Sequence, residues 1–88
     1  MDATKMVKLK RVYSVTDLAG EKVMVDFETG KYYMIKGTGS DIWDMIQEDI
    51  SVGEIVSRLL NEYDVSEDEC YRSVSDFLNQ LYEAGMID

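Results

Sequence analysis

The sequence predicts one α+β domain in which a three-stranded antiparallel meander precedes three helices. Its 88 residues allow a single small domain, and no repeat, low-complexity segment or proline-rich linker divides them. In the first half, short segments rich in β-branched and aromatic residues are separated by turn-forming residues, as in a hairpin-linked sheet. In the second half, apolar residues recur every three or four positions, as on the buried face of a helix.

Short turns join the three predicted strands, which makes neighbouring strands antiparallel. The first strand ends at the turn cluster 17–20, and Gly30 supplies the positive φ that the second turn requires. The resulting 1-2-3 order leaves the third strand at an edge of the sheet. The predicted strands cover residues 12–16, 22–27 and 31–36.

The alternation of side chains along a strand assigns these residues to faces of the sheet. In the second strand, Val23, Val25 and Phe27 share one face. In the third strand, Tyr33 and Ile35 point one way, and Tyr32 and Met34 point the other way.

Two of the predicted helices begin at clear start signals. Ser51 and Glu54 are spaced as a capping box, and Ile50 and Ile55 are spaced as a hydrophobic staple at the start of the second helix. The third helix repeats the device, with Ser66 and Glu69 as the box and Val65 against Cys70 as the staple.

The apolar stripes show which sides of the helices are buried. The first helix, residues 38–47, places Ile42, Trp43 and Ile46 on a common side. The third helix, about residues 67–84, carries more apolar surface than one core stripe requires, so a second stripe either covers the edge of the core or lines a groove. The core stripe is Cys70, Val74, Phe77, Leu78 and Leu81, and the second stripe is Tyr71, Ser75, Leu78 and Tyr82.

The charge balance argues against nucleic acid as a partner. The net charge is −9, and the third helix holds Arg72 among acidic residues, whereas a recognition helix for DNA would be basic. A cationic peptide or protein matches such a surface better. Basic residues concentrate at the start of the chain, so residues 1–9 are predicted as a flexible basic arm ahead of a single domain over residues 10–88.

Composition also argues against catalysis. The chain contains no His and one Cys, so the commonest general base is absent and no thiolate metal cluster can form. Cys70 is expected to be a buried structural thiol. We expect no cofactor and no metal.

No apolar run approaches the length that crosses a bilayer, which favours a cytoplasmic protein without a membrane partner.

The third strand offers a physical means of binding a peptide. Unpaired N–H and C=O groups at an edge strand can hydrogen-bond an extended segment, and pockets beside the strand then select its side chains. An edge strand without proline, whose charges stand only at Lys31 and Lys36, is an unprotected edge of this kind.

Two motifs in this region carry a resemblance to a known family. Residues 26–33 follow the pattern D-x-x-x-G-x-Y-Y, and residues 38–43 follow T-G-x-x-I-W after a short interval. In this order and at this spacing, they resemble the PqqD-like family, also called the RiPP recognition element, for ribosomally made and post-translationally modified peptides. The resemblance extends over about residues 10–88, including the helix around residues 55–60 and the closing helix that ends at residues 81–87.

The resemblance implies a winged helix-turn-helix-like fold and a non-catalytic peptide chaperone. Members of the family bind the leader of a precursor peptide as a strand added to the third strand, against the third helix, and present the core peptide to a modifying enzyme. The hairpin is most similar to the lasso-peptide group, and a leader peptidase or a radical enzyme is the implied enzyme partner. Carried over by position, the strand side of the site is Lys31, Tyr32, Tyr33, Met34 and Ile35, and the helix side is Glu67, Tyr71, Val74, Ser75 and Leu78.

The sequence departs from the family pattern just before the first helix. Many relatives have Asn, often followed by Pro, where Lys36 and Gly37 stand here, so Thr38 or Ser40 is expected to cap the helix instead.

Two other functions remain open for this sequence. The chain is alternatively a general protein-interaction module, or a homodimer that pairs the two exposed edges.

Overall fold

The computed structural model describes residues 2–19, 21–26 and 28–88 of the chain. Two predicted features, the place of Gly20 in the first turn and of Phe27 on the second strand, lie outside these residues. The elements are β1 Met6–Val7, β2 Val15–Leu18, β3 Glu21–Asp26, β4 Lys31–Ile35, α1 Thr38–Met45, β5 Ile50–Ser51, α2 Val52–Glu62 and α3 Glu67–Glu83.

The predicted meander is the sheet β2-β3-β4, and both strand pairs are antiparallel. β4 corresponds to the third predicted strand and lies at an edge. Gly30 has φ 74°, as the turn required. The first strand, predicted at residues 12–16, is Val15–Leu18 in the structure. It ends later than predicted because Asp17 and Leu18 still pair with Lys22 and Glu21, ahead of Ala19, which has φ 52°.

The two faces of the sheet differ in burial. Met24 and Ile35 lie on the inner face and are 0% and 5% exposed, with Tyr33 half-buried beside them. On the outer face, Val23 pairs with Met34 and Val25 pairs with Tyr32. Tyr32 and Met34 are 71% and 52% exposed, which confirms the alternation predicted for this strand. Much of the outer face is therefore apolar and open to solvent.

The two capping boxes form at their serines as predicted. The hydroxyl of Ser51 accepts from the Glu54 N–H at 3.1 Å, and the hydroxyl of Ser66 accepts from the Glu69 N–H at 3.2 Å. The prediction for α1 is wrong. Its N-cap is Gly37, with φ 63° and no side-chain cap bond, because the chain enters this helix through a left-handed residue that only glycine adopts without strain.

Helices α2 and α3 pack together and enclose one core with α1 and the inner face of the sheet. Trp43, 3% exposed, lies 5.9 Å from the half-buried Tyr13 between ring centroids. The predicted inner residues of α1 are buried, as are four of the five core-stripe residues of α3. Phe77 is the exception, because it packs against the core while remaining partly exposed. In the described part of the chain, no helix is both long and apolar enough to span a membrane.

The start of the chain differs from the predicted arm. Met6–Val7 pairs with Ile50–Ser51 as a second, two-stranded sheet. Val7 and Leu9 are 2% and 6% exposed, within the same core as the rest of the domain. Residues 6–9 therefore belong to the packed domain, because their alternate apolar side chains fill the core beside β5.

Candidate functional site

The edge of β4 is the first part of the candidate site. Within the described residues, β4 hydrogen-bonds to β3 along one side and to no strand along the other. In an antiparallel strand, alternate residues direct their N–H and C=O groups away from the partner, so this open side offers backbone donors and acceptors over about 17 Å. Because β4 contains no proline, nothing in its backbone prevents pairing with an additional strand.

A cleft between β4 and α3 borders this edge, and we call it the β4–α3 groove. It is lined by Tyr33, Met34 and Ile35 from β4, and by Phe77, Gln80, Leu81 and Ala84 at the other wall. Met24, Trp43 and Met86 complete its largely apolar lining. Its volume is about 100 Å³, well below the roughly 300–1,000 Å³ of small-molecule sites, so it suits an individual side chain better than a cofactor.

A second cavity, which we call the α2–α3 pocket, extends the same side of α3 toward its N-terminus. It has a volume of about 120 Å³. Ser73 in its wall stands one helical turn before Phe77 of the β4–α3 groove, so the two cavities follow one flank of α3. Its lining is Thr38, Leu59, Tyr63, Val65, Glu69, Cys70 and Ser73.

Gly39 permits the close packing of α1 between these two cavities. A Cβ on this residue would lie 3.0 Å from Cε1 of Phe77 and 3.4 Å from Cγ2 of Ile35. The first turn of α1 therefore sets the position of both the Phe77 ring and the end of β4.

Two side chains in the wall of the α2–α3 pocket, Tyr63 and Cys70, have raised pKa values. The Tyr63 hydroxyl donates to Oδ2 of Asp41 at 2.5 Å, and this hydrogen bond raises the pKa of the tyrosine. Burial raises the pKa of the Cys70 thiol, which contacts the Val56 carbonyl at 3.8 Å. A protonated, buried thiol is a poor nucleophile, so Cys70 has the structural role that the sequence predicts.

The helix side of the predicted site does not face β4. Val74 and Leu78 are both 0% exposed and belong to the core. Tyr71, Ser75 and Glu67 line a different groove together with Asp68 and Arg72. The predicted helix residues therefore lie on a different flank of α3 from Phe77, which is about 120° around the helix from Tyr71 and about 160° from Ser75.

The strand residues of the predicted site lie along β4, the strand with the open edge. Tyr33, Met34 and Ile35 line the β4–α3 groove, and Tyr32 stands on the outer face beside it. Lys31 is exposed at the first residue of the strand. The sequence prediction missed the α3 wall of this groove because Gln80 is polar and Ala84 is small, so neither extends an apolar stripe. In the structure, only the incomplete burial of Phe77 distinguishes this flank from the core.

The sheet followed by three helices defines a winged helix-turn-helix-like α+β domain with one edge strand beside a groove. The chain belongs to the PqqD family, since the family model for coenzyme PQQ synthesis protein D (PqqD) matches residues 21–87. It is thus a PqqD-like RiPP recognition element, as its hairpin and helix motifs predicted.

Two solved structures share the fold. One is TbiB1 in complex with the TbiA(beta) leader peptide, with a TM-score of 0.80 and 27% identity over 92% of this chain and 94% of that chain. The other is a lasso peptide synthetase B1 complexed with the leader peptide, with a TM-score of 0.80 and 23% identity over 93% of this chain and 96% of that chain. Among curated protein sequences, no relative matches the chain.

Proposed function

We propose that this chain binds the leader segment of a ribosomally made precursor peptide by adding it as a strand to β4, alongside α3. The observation that carries the proposal is the open edge of β4 directly beside the apolar β4–α3 groove. The similarity to TbiB1, which was solved with a leader peptide, supports the same function. The edge supplies hydrogen bonds that tolerate many sequences, and the groove supplies selectivity.

Strand geometry determines which leader side chains meet the protein. Successive residues of an added strand point to opposite faces of the sheet. One set enters the β4–α3 groove, where Phe77 and Leu81 face Tyr33 and Ile35. The other set lies over the outer face, beside the exposed Tyr32 and Met34. We therefore expect apolar leader residues at alternate positions.

The acidic surface favours a leader that carries Lys or Arg beside its apolar residues. The net charge is −9, and the first turn of α3 holds Glu67, Asp68 and Glu69. Opposite charge accelerates association, and salt screens it over a Debye length of about 8 Å at physiological ionic strength. Leader association should consequently slow as salt is added.

We infer a role without chemistry of its own. The chain holds the leader, and the attached core peptide is thereby presented to a modifying enzyme, such as a leader peptidase or a radical enzyme. The resemblance of the hairpin to the lasso-peptide group supports a lasso-peptide pathway. Because ribosomes make the precursor, the cytoplasm is the place of action that we propose.

Alternate N-methylation of the leader tests strand addition without altering any side chain. The precursor peptide encoded beside the gene supplies the leader sequence. One series of leaders carries N-methyl groups at the even positions of the bound segment, and its matched series carries them at the odd positions. An added strand directs alternate amides toward β4, so one series should lose at least tenfold in affinity and the other less than threefold.

Other outcomes would point to other functions. Equal losses in both series would contradict strand addition. A flat titration of folded protein with the unmodified leader would favour a general interaction module. Self-association that broadens the amide signals of β4 at rising protein concentration would instead favour the edge-to-edge homodimer.

A further inference from the structure

A basic surface stands out on this acidic chain. Residues 5–11 hold four of its nine Lys and Arg residues, whereas residues 41–88 hold two cations among 13 acids. The family motifs and the β4–α3 groove do not include any part of this segment. We call the exposed side chains of Lys8, Lys10, Arg11 and Val12 the basic ridge.

The backbone under the basic ridge is fixed to the domain by hydrogen bonds on both sides. The Lys5 carbonyl accepts from the Val52 N–H at 3.0 Å. The Leu9 N–H donates to the Ile46 carbonyl at 3.0 Å, and the Lys10 N–H donates to the Met86 carbonyl at 2.9 Å. The charges are therefore presented from an ordered surface.

Side chains along residues 7–10 alternate between the core and the solvent, so the charged side chains point outward. Val7 and Leu9 are buried, while Lys8 and Lys10 between and after them are exposed. An open groove of about 520 Å³ runs beside the segment, lined by the ridge and by Leu9, Gln47, Asp49 and Asp88. Val12 is 94% exposed at this groove, which provides an apolar contact among the cations.

Two of the ridge cations have exposed acidic partners within the chain. Arg11 lies 2.8 Å from Glu28, and their side chains are 50% and 72% exposed. Lys10 lies 3.2 Å from Asp88, and their side chains are 42% and 93% exposed. A solvent-exposed pair of this kind contributes little to stability, so a partner's carboxylate can replace Asp88. Within the described residues, no carboxylate lies in ion-pairing distance of Lys8.

We propose that the basic ridge is a docking site for an acidic, leucine-bearing segment of a partner protein. Carboxylates complement the ridge cations, and an apolar side chain covers Val12. Nucleic acid fits less well, because a duplex extends far beyond a short ridge and meets the acidic remainder of the surface. The site is separate from β4, so this inference does not depend on leader binding.

Fluorescence anisotropy with a defined probe tests the proposal. The probe is a short labelled peptide of glutamates interrupted by leucines, added to the full chain at low salt. We expect saturable binding that the K8E/K10E variant weakens at least tenfold. The matched control is R58E/R72E, which changes the net charge equally at two exposed helix positions and should weaken binding less than twofold. Substitution V12S should weaken binding of the leucine-bearing probe several-fold.

Several results would overturn the proposal. These are the absence of saturable binding, equal losses in the two double variants, and equally tight binding of a DNA duplex or of phosphatidylserine vesicles. Sedimentation that shows a dimer abolished by K8E/K10E would reassign the ridge to a second copy of this chain. Leader affinity, measured in parallel, should be unchanged by K8E/K10E apart from a general charge effect shared with R58E/R72E, which separates this test from that of the proposed function.

Discussion

The two flanks of α3 each carry an aromatic residue but have different surroundings. One flank carries Phe77 and faces the edge of β4 across an apolar groove. The other carries Tyr71 and Ser75 in an open groove with Glu67, Asp68 and Arg72. Each offers an aromatic ring, yet only the first combines it with a groove beside the open edge of β4. The proposed peptide site is therefore distinguished by the neighbouring strand edge and not by the more aromatic stripe of the helix.

The residue between the flanks should give the largest effect. Leu78 is 0% exposed within the core, so Leu78→Ala should lower the free energy of unfolding by about 2–5 kcal/mol. Urea denaturation measures this loss. Tyr82→Ala, at a residue that is 57% exposed, is the control and should change stability by less than about 1 kcal/mol. A loss at Leu78 no larger than the control's would contradict its place in the core.

Replacing one aromatic residue on each flank with alanine distinguishes the contributions of the two grooves to leader binding. Phe77→Ala should weaken leader binding about tenfold, or ~1.4 kcal/mol, because it removes a wall of the β4–α3 groove. Tyr71→Ala removes a partly buried aromatic from the other flank and should weaken binding less than twofold. Calorimetric titration of both variants, after circular dichroism confirms folding, measures the difference. A larger loss for Tyr71→Ala would reverse the assignment of the flanks.

A change in the first turn of α1, behind Phe77 and Ile35, should have a smaller effect on leader binding. Gly39→Ala would place a Cβ 3.0 Å from Cε1 of Phe77, so the ring must shift and leader affinity should fall about threefold. Gly53→Ala is the control, since its Cβ would lie 3.2 Å from the Ala3 carbonyl oxygen, away from the groove. Equal losses of affinity in the two variants would show that the effect is not local to Phe77.

The smallest change in stability is expected from the substitution of Ser75. Its side-chain oxygen is buried and has no hydrogen-bond partner in the described structure. Ser75→Ala removes an unsatisfied polar group, so stability should rise by up to about 1 kcal/mol while leader affinity stays constant. Thermal unfolding and leader titration of the same sample measure both quantities. A loss of leader affinity would restore Ser75 to the binding site that the sequence predicted.

The sequence predicts local features of this fold well and their mutual orientation poorly. The serine caps at Ser51 and Ser66 and the alternation along β4 depend on residues a few positions apart, which sequence patterns record. The pairing of Met6–Val7 with Ile50–Ser51 joins distant residues through two-residue strands, too short for a periodic signal.

The same limit explains why the predicted helix residues and the β4–α3 groove lie on different flanks of α3. The spacing of apolar residues fixes which side of α3 faces the core, but either flank of that side is compatible with an adjoining strand. The close approach of Gly39 to Phe77 and Ile35 settles which flank meets β4, and this contact is tertiary.

The central claim is that the leader is added to β4 beside the Phe77 flank of α3. Amide hydrogen exchange and chemical shifts of the labelled protein, with and without saturating leader, test it most directly. We predict that alternate amides of residues 31–35 gain protection and that shifts extend over residues 77–84, while Tyr71 and Ser75 are unaffected. Protection that leaves β4 unchanged, with shifts centred on Tyr71 and Ser75, would contradict the claim.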